Sequence, residues 1–375
     1  MNILITVSVR WWNANAYYAI SVAEALNQLG HQVFVAGDPG YPPTIEAENR
    51  GLHTVPICFS SLNPFVFIRD MFRLSRFIKR NQIEIINAHR PEDHLWTALL
   101  ARRLKIPLVR TVGDVRSPRD NFFNHWLHFK RSDYFILSSE SIFIRYHSVW
   151  PEFTDNFSIL PGGVDGKLFY ANGKNPKLRE TLQIPDDTYV VGIVARLSPI
   201  KDHLSFIIAA PLVLDRVPNV IFLVSGSEEE VLVNDLKSLA RNLNILDHFR
   251  FLDRYSPVRD LISLFDVGVV ASKGSEVIAR IAMEYIATGI PVVATDINVL
   301  PEVVINNRNG FIISPGDSYE MAEAISKLLE NDDLRNQIFQ VNQEDFKNKF
   351  DILLVAKSIT TIYENTLKRF KNKSN

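Results

Sequence analysis

Two carboxylates, Glu276 and Glu284, share the largely apolar stretch Ser272–Asp296, which follows the short apolar run Val267–Val270. A helix opening near Ser275 or Glu276 and closing at Thr288-Gly289 sets them ~12 Å apart along its axis at about 1.5 Å per residue. One carboxylate at the helix entrance and one deeper suit a ligand with two hydroxyl-bearing parts, such as a sugar and a ribose. The free backbone N–H groups of Val277 and Ile278, in the first turn, could meet a phosphate or sugar oxygen between them. A Glu at a helix entrance is equally what the helix dipole favours without any ligand. Glu284 is harder to explain in that way. Ile281, Ala282, Met283, Tyr285 and Ile286 flank it, and a carboxylate buried in such a helix needs a partner. Two cations, Arg196 and Lys201, follow the apolar run Tyr189–Val194. Placed there they suit a diphosphate, with Arg binding bidentately and Lys acting as a point charge; solvated loop cations are the alternative. His89 follows another apolar run, Glu84–Ala88, and reads either as a ligand contact or as a satisfied structural side chain. Asp114 and Arg116 follow Leu108–Thr111, with loop capping as the alternative to a ligand contact.

These residues all sit just after strand-like runs, so the elements come next. Ile3–Val9, His31–Ala36, Thr54–Cys58, Glu84–Ala88, Leu108–Thr111, Tyr134–Ser138 and Phe157–Leu160 read as strands. Tyr17–Leu29, Phe65–Lys79 and His94–Leu104 read as helices between them, the first stopped by Gly30. The pattern restarts with strands at Tyr189–Val194, Val220–Val224, Phe249–Leu252, Val267–Val270, Pro291–Ala294 and Gly310–Ile313 and with helices at His203–Val213 and Ser318–Leu329. This alternation predicts an α/β protein of two Rossmann-like, doubly wound parallel domains facing a cleft. Ligands of such sheets bind beyond the carboxyl ends of the strands. The glycines and proline of Pro161–Gly166 mark the boundary. A first domain then covers 1–163 and a second covers 164–350, with a polar linker up to Pro185. The segment 351–375 carries a last helix, Ile352–Phe370, long enough to cross back to the first domain.

At 375 residues the chain exceeds the roughly 250–300 residues at which single cores stop growing. It is 46% hydrophobic and 22% charged, ordinary for a packed globular protein. A net charge of −1 gives no global reason to expect nucleic acid as a partner. Residues 1–163 nevertheless carry 17 Lys/Arg against 14 Asp/Glu, a net of +3 that leaves −4 for the remainder. The single cysteine, Cys58, excludes an internal disulfide and fits a reducing cytosol. The opening Met1–Val9 reads as a strand rather than a signal peptide, and no apolar run reaches the ~20 residues of a membrane helix. A cytoplasmic protein is expected, peripheral to the inner face of the membrane if the basic stretch 65–80 touches anionic lipid. There Arg69, Arg73, Arg76 and Arg80 follow helical spacing, read as lying opposite Phe72 and the other apolar residues. The alternative is a surface helix packing its apolar stripe on the sheet. The first strand is followed by Val9-Arg-Trp-Trp-Asn13-Ala-Asn15, with no glycine, which disfavours a dinucleotide oxidoreductase.

Taken together, these segments resemble the retaining GT-B glycosyltransferases that include glycogen and sucrose synthases and bacterial lipopolysaccharide-core, mannosyl and glucosyl transferases. The matching pieces are Arg196/Lys201, Glu276/Glu284 and Gly289-Ile-Pro-Val-Val-Ala-Thr295, joined by Pro161-Gly-Gly-Val-Asp-Gly-Lys-Leu-Phe169, Asn309-Gly-Phe311 and Ile86-Asn-Ala-His89. The resemblance implies transfer of a hexose-type sugar from a nucleotide-sugar donor to a glycan or lipid-linked acceptor, in cell-envelope polysaccharide or lipopolysaccharide synthesis. Arg196 and Lys201 would hold the diphosphate, Glu284 the ribose and Glu276 the transferred sugar, with His89 near the reacting carbon. Val277-Ile278-Ala279 replaces the family's Gly-Phe-Gly, and Asn87 stands where a first His is common. The glycine pair after the first strand gives way to a segment whose Asn13 and Asn15 join Asp114 and Arg116 as acceptor-side candidates. No Asp-x-Asp pair occurs, so neither metal nor other cofactor is expected. Two other readings share the fold: a nucleotide-sugar 2-epimerase, and a non-catalytic nucleotide-sugar-binding homologue.

Overall fold

A computed structural model describes residues 1–61 and 63–374. The chain divides into two compact units, Met1–Gly163 together with the segment from Asp351 onward, and Val164–Phe350.

The first unit alternates β1 (Asn2–Val7), α1 (Ala14–Gln28), β2 (Gln32–Gly37), α2 (Pro42–Asn49), β3 (His53–Pro56), α3 (Pro64–Arg80) and β4 (Ile85–Ala88). It continues with α4 (Pro91–Leu104), β5 (Leu108–Val112), α5 (Phe122–Arg131), β6 (Tyr134–Leu137), α6 (Glu140–Val149) and β7 (Phe157–Ile159). The sheet order is β3-β2-β1-β4-β5-β6-β7, with every neighbouring pair parallel. Unbroken apolar strands such as Ile3-Leu4-Ile5, each fully buried, are what a parallel sheet covered on both faces requires. Helices α2, α5 and α6 were not expected from periodicity, because their buried positions are few: Leu127 and His128 in α5, Ile142 and Tyr146 in α6. Helix α1 starts three residues before the expected Tyr17, because the Asn13 side chain accepts from Ala16 N–H at 3.0 Å and caps it.

The apolar residues of α3 divide between two faces, and this corrects the expected arrangement. Leu74 and Ile78 are buried, and Phe67, Met71 and Phe77 pack on the core. Phe65, Ile68 and Phe72 are exposed at 82%, 51% and 65%. Phe72 therefore shares the solvent face with the arginines rather than opposing them, since positions 65, 68, 69, 72, 73 and 76 recur at helical spacing.

The second unit holds α7 (Pro176–Thr181), β8 (Tyr189–Val194), α8 (His203–Arg216), β9 (Val220–Ser225), α9 (Val233–Asn242), β10 (Phe249–Leu252), α10 (Val258–Ile262) and β11 (Val267–Val270). Next come α11 (Arg280–Ala287), β12 (Val292–Thr295), α12 (Leu300–Val303), β13 (Gly310–Ile313), α13 (Ser318–Leu329) and α14 (Asp332–Asp345). The stretch before Pro185, expected as linker, contains α7 because Asn175 caps it and Leu178 and Arg179 are buried. The sheet order is β10-β9-β8-β11-β12-β13, again all parallel.

The last helix, α15 (Ile352–Ser374), packs on α1 of the first unit. Asn87 Nδ2 on β4 donates to Tyr363 Oη at 2.6 Å, and His31 Nε2 lies 3.0 Å from Thr360 Oγ1. Gly163 permits this return: a Cβ there would stand 2.9 Å from the Ile352 Cα.

In the centre of the second sheet Gly192 of β8 pairs in register with Gly268 of β11. Paired residues share a sheet face, and the bare backbone at both admits two rings, Phe265 and Tyr285, whose centroids lie 6.0 Å apart. A Cβ on Gly268 would fall 2.4 Å from the Tyr285 ring, whereas one on Gly274 would meet nothing closer than 3.7 Å. Gly268→Ala is therefore expected to cost about 1–3 kcal/mol through overpacking, with Gly274→Ala close to neutral. Urea unfolding midpoints of the two variants check this; equal midpoints would remove Tyr285 as the wedge between helix and sheet.

Candidate functional site

In both sheets the strand order reverses once, between β1 and β4 and between β8 and β11, and a crevice opens at such a point beyond the carboxyl ends. In the second unit the loops leaving β8 and β11 are tied together there. Lys273 N–H donates to Ile200 C=O at 2.8 Å. Lys273 Nζ lies 2.9 Å from Asp202 Oδ2, whose side chain is almost wholly buried. Lys201 Nζ forms an ion pair with Glu276 and lies 3.3 Å from Ser272 Oγ. The Ser272 hydroxyl in turn donates to Glu276 Oε1 at 2.6 Å. Lys201, Ser272 and Glu276 thus form one closed cluster, little exposed to solvent. Arg196, on the same loop as Lys201, is instead an exposed side chain paired with Glu229. An exposed ion pair contributes only ~0–1 kcal/mol, so Arg196 can be redirected to an incoming anion at small cost.

Glu276 does not lie on a helix. Helix α11 begins four residues later, at Arg280, because Ser275 and Ala279 adopt left-handed φ values of 57° and 51°. The axial spacing expected between the two glutamates therefore does not apply. Val277 and Ile278 fall in the bend before α11 rather than in its first turn, and Ile278 is buried. Glu284 is buried at 1% exposure, as its apolar neighbours implied. Its partner is Arg280 one turn earlier, whose Nε donates to Oε1 at 2.5 Å. Burial pushes the Glu284 carboxyl above its ordinary range, with Arg280 opposing the shift. Tyr285, seated over Gly268, accepts from Val194 N–H at 3.3 Å and so fixes α11 to the end of β8. Ser272 and Arg280 were not singled out from sequence. Arg280 had a readable signal, four positions before a carboxylate that needed a cation; Ser272 had none.

In the first unit His89 follows β4 directly, its N–H donating to Thr6 C=O of β1 at 3.2 Å. The ring is buried, edge-on to Tyr18 at 6.1 Å, and its Nε2 has no hydrogen-bond partner. Burial first, and the Arg110 charge second, pull its pKa down to about 3, which keeps the imidazole neutral. Thr6 Oγ1, Ser8 Oγ and Tyr18 Oη are buried and unpartnered as well. Asp93 holds the loop after β1 to the start of α4, accepting from Ser8 N–H and Arg90 N–H, both at 3.0 Å. Burial raises its carboxyl to about 7. Of the acceptor-side candidates, Asn13 spends its side-chain oxygen on the α1 cap, and Asn15 lies in the first turn of α1. Asp114 and Arg116 form a local pair at 2.6 Å, and Arg116 N–H also donates to Asp114 Oδ1 at 3.1 Å, as the loop-capping alternative requires. His94 is buried and bonded to Ser132 Oγ at 2.7 Å, a structural side chain.

Two doubly wound sheets of this order, one in each unit, are the architecture of the GT-B glycosyltransferases. The glycosyl transferases group 1 model matches residues 174–345, and that of glycosyltransferase family 4 matches residues 16–167. Both halves of the chain are thus similar to glycosyltransferases. Spore coat protein SA of Bacillus subtilis is 25% identical over 58% of this chain and 61% of its own. The UDP-Gal:alpha-D-GlcNAc-diphosphoundecaprenol alpha-1,3-galactosyltransferase of Escherichia coli is 23% identical over 82% of each chain. Against several curated relatives, the matched region spans only about half to three fifths of the relative's length. The crystal structure of Anabaena HepE in complex with UDP superposes with a TM-score of 0.83 at 20% identity, covering 97% of this chain and 100% of that one. Among the described residues no helix is long and apolar enough to cross a membrane.

Because burial raises the folded-state pKa of Glu284, its charged form costs stability. That cost is absent below the unfolded carboxyl pKa and grows as pH rises through the folded value. Glu284→Gln should therefore leave the ligand-free protein as stable as the wild type in acid and more stable than it at neutral pH. Arg280→Ala should be destabilising by about 3 kcal/mol at neutral pH, since it strands a buried charge. Unfolding midpoints measured across that pH range decide; a pH-independent difference for Glu284→Gln would show that Glu284 is not destabilised by burial.

Proposed function

We propose that this chain transfers a hexose-type sugar from a nucleotide-sugar donor to a glycan or lipid-linked acceptor in cell-envelope synthesis, without a metal and with retention of configuration. The observation that carries the reading is the meeting of Lys201, Ser272 and Glu276 at the β8/β11 crevice, with Glu284 on the helix behind. The names of two similar proteins support it. The Escherichia coli relative is named for a UDP-galactose donor and a diphosphoundecaprenol-linked acceptor, and the Anabaena structure holds UDP. Retention rests on the family resemblance.

In this mechanism the bond between the sugar's anomeric carbon and the diphosphate breaks while the acceptor hydroxyl bonds to that carbon and passes its proton to the departing phosphate oxygen. Negative charge grows on the leaving diphosphate, and cations positioned there act selectively on the transition state. Lys201 turns from Glu276 to the diphosphate, and Arg196 leaves Glu229 to join it. Glu276, relieved of its lysine, accepts hydrogen bonds from the hydroxyls of the transferred sugar. Glu284 accepts from the ribose. His89, neutral, contacts the sugar near the reacting carbon as a hydrogen-bonding group rather than a charge. Asn13, Asn15, Asp114 and Arg116 are assigned to the acceptor side.

Lys201→Ala and Arg196→Ala are each expected to lower transfer by ~10²–10³-fold, the usual cost of removing one positioned charge-stabilising group, with the fold retained. Calorimetric titration separates the two glutamates. Glu284→Gln should weaken UDP and the full UDP-sugar alike, about tenfold or more, since it loses charge-assisted hydrogen bonds of ~1.5–3 kcal/mol. Glu276→Gln should weaken the UDP-sugar and spare UDP. Equal effects of both substitutions on UDP would overturn the assignment.

Metal independence follows if the two cations take the metal's place, and the sequence has no Asp-x-Asp pair to hold one. Transfer should persist in excess EDTA. Complete loss on chelation, restored by Mg²⁺ or Mn²⁺, would refute this part of the mechanism.

A further inference from the structure

Helix α3 carries two apolar stripes, and only one of them is used by the fold. Leu74 and Ile78 are buried, while Phe65, Ile68 and Phe72 stand in solvent. Around them on the same side are Arg69, Arg73, Arg76, Lys79 and Arg80, all exposed. The helix contains one acid, Asp70, and it is wholly buried, accepting from Cys58 N–H at 2.9 Å and paired with Arg69. The exposed face is therefore cationic without a counter-charge of its own, and studded with phenylalanine. The neighbouring helices extend this character. Helix α4 packs on both α3 and α5 and exposes Leu99, Arg102 and Arg103. The first two residues of α5, Phe122 and Phe123, are exposed at 86% and 49%.

In a parallel sheet the linking helix runs antiparallel to the strands, so its N-terminus stands at their carboxyl edge. Phe65 and Ile68 lie in the first turn and a half of α3, and Phe122 and Phe123 open α5. The exposed rings therefore gather at the edge of the first sheet that also carries His89 and Asp114, and the cations of α3 run back from that edge.

We infer that this face of the first unit is a docking surface for an anionic phospholipid bilayer, with the phenylalanines entering the headgroup region and the α3 cations facing lipid phosphates. Charge complementarity selects this occupant. A cationic row of which only Arg69 is paired, to the buried Asp70, attracts a surface of fixed negative charge, and large exposed rings beside it gain by leaving water. A second copy of the chain would bring the same cations against themselves. Docked in this way, the protein presents the carboxyl edge of its first sheet to the membrane, where a lipid-linked acceptor is anchored. The binding itself does not depend on the transferase reading.

The test is co-sedimentation of the full chain with vesicles, either of equal parts phosphatidylcholine and phosphatidylglycerol or of phosphatidylcholine alone. The wild type should partition onto the anionic vesicles and not onto the neutral ones. Arg73→Ala/Arg76→Ala should weaken that binding roughly 30-fold, from the usual contribution of each basic residue near an anionic surface. Phe65→Ser/Phe72→Ser should weaken it about tenfold or more. All substituted side chains are exposed, and UDP affinity, read by calorimetry, should be unchanged in every variant. Equal partition onto both vesicle types, no partition at all, or undiminished binding by either variant would overturn the inference. So would a dimer in sedimentation equilibrium that the phenylalanine variant dissolves, since the face would then belong to a second copy. Loss of UDP binding by the wild type would count against the proposed function and leave the vesicle result standing.

Discussion

A carboxylate taken out of water must be met by a cation or by several donors, and the second unit buries two of them within nine residues of each other. Glu276 meets this demand through Lys201 and Ser272, and Glu284 through Arg280. The first solution depends on sheet order: Lys201 and Glu276 are far apart in sequence and meet only because β8 and β11 are neighbours. The second depends on a single helical turn. The burial of Glu284 depends on the placement of α11, which the Tyr285 wedge over Gly268 provides. A side chain at Gly268 would hold α11, and Glu284 with it, farther from the sheet.

The cations of this site are held unequally. Arg196 is paired in solvent with Glu229, whereas the Lys201 pair is largely enclosed and shares its carboxylate with a hydroxyl. Water screens the first pair and hardly screens the second. A ligand anion would therefore meet one cation that is easily redirected and one that must exchange a strong internal partner for it. In the first unit the polar groups at the β1/β4 crevice are left without partners instead, among them His89 Nε2, Thr6 Oγ1 and Ser8 Oγ. The two crevices thus differ: in one the polar groups are paired internally, and in the other donors and acceptors are left unspent.

Much of this organisation was legible in the residue pattern, because strands buried on both faces announce themselves as unbroken apolar runs. Tyr189–Val194, Phe249–Leu252, Val267–Val270 and Gly310–Ile313 appear with the expected limits. Elements with little buried surface were not legible: α2 opens with two prolines, and α7 lies in a polar stretch with a single buried leucine. The start of α11 was misplaced because left-handed backbone at Ser275 and Ala279 has no glycine to mark it. The need of Glu284 for a partner was legible from its apolar neighbours. The cluster of Lys201 with Ser272 was not, since it depends on which strands lie side by side. Phe72 shows the limit of periodicity on its own: spacing says which residues share a face, but not which of two apolar faces turns inward.

The return of α15 to the first unit has a consequence for biosynthesis. Asn87, at the centre of the first sheet, bonds to Tyr363, and the face of α1 is covered by residues beyond Asp351. The ribosome adds roughly 5–20 residues per second and delivers the N-terminal part first. All of Val164–Phe350 must therefore emerge before the first sheet receives its last helix. The first unit is completed only once α15 has been made, after the second has every residue it needs to close. During that interval the nascent protein exposes the apolar flank of α1, a surface that a ribosome-associated chaperone would meet and the finished enzyme no longer shows.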